Sequence, residues 1–142
     1  MLEALSISLN KAAVLGFVMY ILGAAVLFAL FQFIYTRVTP HKEFELIRSG
    51  NVAAAIALGG AVIGFAIPAS NVIAYSISML DFVVWAVIAA VVQLLAFLVT
   101  SLVLKGASAR IKNGEIAAGI YIAAVAISVG MLNAACMTPS TN

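Results

Sequence analysis

Ile47-Arg48-Ser49-Gly50-Asn51-Val52-Ala53-Ala54-Ala55-Ile56 is matched 64 residues later, without a gap, by Ile111-Lys112-Asn113-Gly114-Glu115-Ile116-Ala117-Ala118-Gly119-Ile120. The two stretches share Ile47/Ile111, Gly50/Gly114, Ala53/Ala117, Ala54/Ala118 and Ile56/Ile120. Arg48/Lys112 keeps the charge and Val52/Ile116 keeps the β-branched shape. Upstream, the same offset pairs Leu30 with Leu94, Phe33 with Phe97 and Thr36 with Thr100. Alanine and isoleucine match easily by chance in an apolar chain, so the weight rests on the basic-x-Gly step, which hydrophobic bias does not produce. The sequence reads as one unit used twice.

What surrounds these two steps is almost free of charge. Of 142 residues, 65% are hydrophobic and 8% charged, where a soluble domain carries about a quarter charged residues, and the mean hydropathy is +1.23. Uncharged windows cover residues 12–36, 51–80, 82–104 and 116–142, each meeting the roughly 20 residues a helix needs to cross a hydrocarbon core of about 30 Å. The expected fold is an all-α membrane protein of four transmembrane helices, arranged as two tandem, parallel-oriented helical hairpins in a single integral membrane domain over 1–142. The first hairpin spans about 12–73, with helices 12–36 and 51–70. The second spans about 76–137, with helices 82–104 and 115–135. The first window follows Lys11 but is too long for the apolar core of a secretory signal and has no small-x-small exit, so it reads as a retained span.

Charge placement orients these spans. Arg37, Lys42 and Arg48 fall between the first and second, Lys105, Arg110 and Lys112 between the third and fourth, and only Lys11 on the other side. The positive-inside rule places both basic loops in the cytoplasm and both termini outside. Two hairpins that each return to their starting side share an orientation, related by a pseudo-twofold axis along the membrane normal.

Pro68 interrupts a window too long for one crossing, so the sequence predicts a kink or exit there and a connection over 72–80. Asp81 then opens the third span, where a helix N-terminus favours a carboxylate. Small residues at four-residue spacing mark close helix packing: Gly60/Gly64 and Ala53/Ala57/Ala61 on the second span, Gly119/Ala123 and Ala126/Gly130/Ala134 on the fourth. Spans two and four are accordingly expected at the centre. The bulkier spans one and three would face lipid or a neighbouring subunit, with Tyr35 and Trp85 in the interfacial belts.

Few residues carry chemistry. One cysteine, Cys136, and one histidine, His41, exclude an internal disulfide and a four-ligand metal site, and no metal, cofactor or nucleic-acid partner is expected. No Asp, Glu, Lys, Arg or His lies in the interior of a span, which argues against a proton-coupled exporter. No hydrolytic or phosphate-loop motif occurs, so an enzyme is not expected. The paired step has two readings. In one, Ser49 and Asn113 cap the helices, Glu115 complements a dipole, and Arg48 and Lys112 sit at the phosphate layer. In the other, Arg48, Gly50, Asn51, Lys112, Gly114 and Glu115 form a docking surface for a cytoplasmic protein or anionic lipid. Gln93, the deepest polar residue, reads as an interhelical hydrogen bond or as the lining of a polar pathway. Residues 41–48 read as a solvated loop or a short surface-lying helix.

The paired hairpins, the step Arg48-Ser49-Gly50-Asn51-Val52-Ala53-Ala54 and a length near 140 residues resemble the YjfL-type family, a domain-of-unknown-function group of small bacterial inner-membrane proteins. The second copy departs from that step with Glu115 in place of Asn51. The resemblance implies a tetraspan inner-membrane protein and an association with envelope stress or membrane remodelling. Two functions are carried forward. The first is a homo-oligomeric scaffold or anchor presenting basic loops to a soluble partner. The alternative is an oligomeric channel for ions or small solutes, lined by Gln93, Ser128 and small residues.

Overall fold

The computed structural model describes residues 9–138, and among them the chain is all-α, with six helices and no strand. They are α1 (Lys11–Val38), α2 (Glu43–Arg48), α3 (Val52–Tyr75), α4 (Met79–Val103), α5 (Ala107–Lys112) and α6 (Ile116–Cys136). The four long ones, α1, α3, α4 and α6, are apolar and long enough to cross a membrane. The chain is therefore a four-span membrane protein. Its two termini lie outside the described residues.

Local chemistry sets where each span starts. The Asn10 side chain accepts from the Ala13 N–H at 2.8 Å and opens α1, and the Ser78 hydroxyl accepts from the Asp81 N–H at 3.1 Å and opens α4. Each supplies one of the acceptors that the first turn of a helix lacks. The Asp81 carboxylate in turn accepts from the Ile77 N–H at 3.2 Å.

Between the spans, packing follows side-chain size. α3 and α6 meet backbone to backbone: a Cβ added to Gly60 would overlap Ala123, one added to Gly119 would lie 2.6 Å from the Ala53 carbonyl, and one added to Gly130 would overlap the Gly64 carbonyl. Close approach of this kind replaces the missing hydrophobic force in lipid with dispersion and short polar contacts. α1 attaches differently, through rings. Phe31 stacks on Phe65 of α3 at 4.3 Å, and Tyr35 meets Phe97 of α4 edge-on at 5.1 Å. Near the other end of α1, Tyr20 meets Phe82 at 5.7 Å. These contacts make α1 and α4 run in one direction and α3 and α6 in the other.

Three expectations are revised. α3 does not end at Pro68 but runs on to Tyr75, so the connection expected over 72–80 shrinks to residues 76–78. Proline leaves the carbonyl four residues earlier without its helical donor. Here that carbonyl belongs to Gly64 and lies against Gly130 of α6, where a Cα–H contact and close packing take the donor's place. Tyr35, expected in an interfacial belt, is buried between Phe31 and Phe97. Its place in the sequence, just before Arg37, says nothing of the ring's direction. Finally, α3 is the central helix, half buried along its most apolar window, whereas α6 is no more buried than α4. α6 spends one face on α3 and leaves Ile120, Tyr121, Met131 and Leu132 exposed.

Candidate functional site

At the end of the bundle that carries the basic residues, two short helices sit in front of two spans, and their geometry recurs at the 64-residue offset. α2 and α5 each run six residues, and each ends in a glycine with positive φ, 86° at Gly50 and 74° at Gly114. The Asn51 N–H reaches the Leu46 carbonyl at 2.9 Å and the Glu115 N–H the Arg110 carbonyl at 3.0 Å. The Gly50 and Gly114 N–H groups reach Ile47 and Ile111 at 3.0 and 2.9 Å. This is the Schellman closure, which needs a left-handed residue and so favours glycine. The glycines therefore set the turn from surface helix into span. Ser49 and Asn113, expected to cap the spans, instead close α2 and α5, and the N-cap positions fall two residues later on Asn51 and Glu115.

The two caps then diverge. The Asn51 side chain accepts from the Ala54 N–H at 2.9 Å, while its amide donates across the molecule to the carbonyls of Ile111 at 2.8 Å and Lys112 at 3.3 Å. It thus caps α3 and the C-terminus of α5 at once. Glu115 makes no side-chain cap. It takes both arms of Arg110, the Nε donating at 2.7 Å and an Nη donating to the other oxygen. The hydrogen bonds from Arg110 hold the Glu115 carboxyl below its usual range. Of the remaining residues expected to dock a partner, Arg48, Gly50, Lys112 and Gly114 are all exposed. Only Lys112 borders the open groove of about 580 Å³ at this end, together with Pro40, Lys42, Leu46 and Ser49. Lys42 is paired with Glu45 at 2.9 Å.

Sequence reasoning missed a buried polar cluster beneath the groove. His41 and Glu43 were read as part of a solvated or surface-lying segment, yet both side chains are buried, His41 Nε2 lying 3.4 Å from Glu43 Oε1. His41 Nδ1 lies 3.1 Å from the Ser108 hydroxyl of α5. This is a second tie between the two basic segments. A signal was available: Glu43 precedes Ile47 by four residues, hence shares its helical face, and Ile47 packs against the core.

Deeper in the bundle, Gln93 is buried and its amide donates to the Ala126 carbonyl at 2.9 Å, joining α4 to α6. Among the described residues its oxygen has no hydrogen-bond partner, and Gln93 borders a small cavity of about 10 Å³, also lined by Tyr35 and Thr100. Two asparagines that the sequence reading passed over tie α6 to its neighbours, one to α4 and the other to α3. Asn133 donates to the Ala89 carbonyl at 3.5 Å and Asn71 to the Ala134 carbonyl at 2.7 Å. Ser128 is exposed, its hydroxyl donating to Ala124 of its own helix at 2.7 Å. The helix-packing glycines Gly60, Gly64, Gly119 and Gly130 all lie in or beside the α3–α6 seam.

Comparison with known proteins gives a consistent result. The family model described as Domain of Unknown Function (DUF350) matches residues 8–137. The inner membrane protein YjfL of Escherichia coli (strain K12) is 37% identical over 126 residues, covering 89% of this chain and 96% of that protein. YjfL of Escherichia coli O157:H7 matches with the same identity and coverage. No solved structure matches the chain.

Proposed function

The chain belongs to the DUF350 family, and from that premise we propose that it is a non-enzymatic scaffold or anchor of the bacterial inner membrane, presenting its basic end to a soluble cytoplasmic partner. The relatives named as inner membrane proteins support the location. The charge distribution supports a cytoplasmic basic end and external termini, and the recurrence of the α2 and α5 turns at one offset supports descent from a duplicated hairpin.

One observation carries the reading: the Asn51 amide caps the opposite short helix. Two loops that moved independently would pay ordering entropy on binding a partner. Tied by Asn51 and by the His41–Ser108 contact, they form one preorganised face with Lys112, Arg48 and the groove upon it. Copies associate through α1, whose outward apolar surface includes Phe17, Ile21, Leu22 and Val26. In-cell photocrosslinking from this face, with Arg48→Glu and Lys112→Glu combined, tests the proposal. A specific cytoplasmic adduct should disappear in the double variant while the particle elutes unchanged in mild detergent. An adduct indifferent to both charges sinks it.

A second reading, an oligomeric channel or facilitator, is favoured by the unpartnered oxygen of Gln93, a residue that lines a small internal cavity. That cavity holds about one water, and the α3–α6 seam is closed by backbone contact. A route would therefore lie between copies. Reproducible flux into liposomes, abolished by Gln93→Leu, would replace the scaffold reading with this one.

A further inference from the structure

At the end of the bundle opposite the basic loops, a pocket of about 320 Å³ opens between the ends of α3 and α6 and the start of α4, within the size range of about 300 to 1,000 Å³ common for small-molecule sites. Its walls include Tyr75, Ser76, Asp81, Trp85 and Cys136. Against the positive N-terminus of α4, which opens at the pocket with its Ser78 cap, stand two negative helix ends and a carboxylate. α3 and α6 both terminate at the pocket, so each presents the negative end of its dipole, and neither has a basic residue in its last turn. Asp81 contributes a full negative charge. One of its oxygens accepts from the Ile77 N–H at 3.2 Å. Tyr75 and Trp85 contribute aromatic faces, whose quadrupoles attract cations. The Ser76 hydroxyl oxygen is buried with no hydrogen-bond partner.

No cation of the described residues answers this field. Six of the seven basic residues lie at the other end of the bundle. The seventh, Lys11, precedes by nine residues the Tyr20 ring that touches Phe82, which puts it about 14 Å further along the α1 axis. Tryptophan and tyrosine favour the membrane–water interface, so the pocket opens at the depth of lipid head groups.

We propose that this pocket binds an organic ammonium group, the chemistry of an ethanolamine or choline moiety. The cation would sit against the Trp85 and Tyr75 rings with the Asp81 carboxylate as counter-ion. The site is independent of the basic face and does not rest on the scaffold reading.

The chain carries its own reporters, because Trp85 is the sole tryptophan and Cys136 the sole cysteine, and both line the pocket. Tetramethylammonium or ethanolamine titrated into the full chain in mild detergent should change Trp85 emission saturably and slow alkylation of Cys136 by a maleimide. Sodium chloride at matched ionic strength should do neither. Asp81→Asn keeps an acceptor for the Ile77 N–H and should weaken both responses about tenfold or more. Tyr75→Leu, remote from that cap, should weaken them too, and serves if the Asp81 variant does not fold. Nanodiscs separate the sources: Cys136 protected in phosphatidylethanolamine discs but not in phosphatidylglycerol discs identifies a lipid head group, and protection that requires added amine in both identifies a soluble one. The proposal is overturned if sodium and ammonium act alike, or if well-folded Asp81 and Tyr75 variants respond as the parent does.

Discussion

The α3–α6 seam and the α1 helix solve the same problem in opposite ways. Along the seam, Gly60, Gly64, Gly119 and Gly130 bring backbones into contact, and the polar groups of Gln93, Asn71 and Asn133 close onto carbonyls of facing helices. α1 has no such stripe. It rests on a few rings and leaves almost all of its most apolar window facing outward, 6% of it buried against 50% for α3. Yet that window of α1 is more apolar than the corresponding window of α3. In lipid an apolar side chain gains little by leaving the acyl chains, so the interior is chosen by closeness of approach and by hydrogen bonds, not by hydropathy.

The contrast can be broken most forcefully at Gly130. Gly130→Val places a branched side chain against the Gly64 carbonyl, which is backbone and cannot yield. Overpacking of about 1–3 kcal/mol or more is expected, with a large fall in apparent Tm in mild detergent. An unchanged Tm would mean the seam is not closed as described.

The next test asks whether the seam extends into the loops. Asn51→Ala removes the α3 cap, worth about 1 kcal/mol, and also the bridge to α5. Glu115→Gln disturbs only an exposed ion pair within one loop. Hydrogen exchange of the 107–112 amides should rise in the Asn51 variant and stay near the parent level in the Glu115 variant. Because the Glu115 carboxyl is held below its usual range, its pairing with Arg110 persists above the ordinary carboxylate titration and is lost only as pH falls through the lowered value. Acidification should therefore loosen the 110–115 turn later than free glutamate would titrate.

The smallest effect is expected on α1. A Cβ on Gly16 meets nothing within 4 Å, so Gly16→Ala should leave Tm within about 0.5 kcal/mol of the parent in free-energy terms. A large loss there would show that α1 is packed against something, and crosslinking between copies would identify it.

Much of this was legible beforehand for reasons that can be named. Span number follows from the length of uncharged windows, and the glycines of the paired step were visible because a left-handed turn restricts the residue allowed. Pro68 misled because the usual consequence of proline assumes a solvated or unpaired carbonyl, whereas Gly130 lies against this one. His41 and Glu43 misled because charge near a loop suggests water, whereas the fold buries both and sets His41 beside Ser108 of α5.

By itself the sequence determined the four crossings, the two turns into α3 and α6 and the charge asymmetry between the ends, since these depend on local composition, on φ at single glycines and on distance along the chain. The tertiary structure alone decided which helix is central, that Asn51 reaches Ile111 and Lys112 while Glu115 turns back to Arg110, and that Asp81, Trp85 and Cys136 share one pocket. Those are relations between residues tens of positions apart, and no pattern along the chain encodes them where lipid and protein interior are equally apolar.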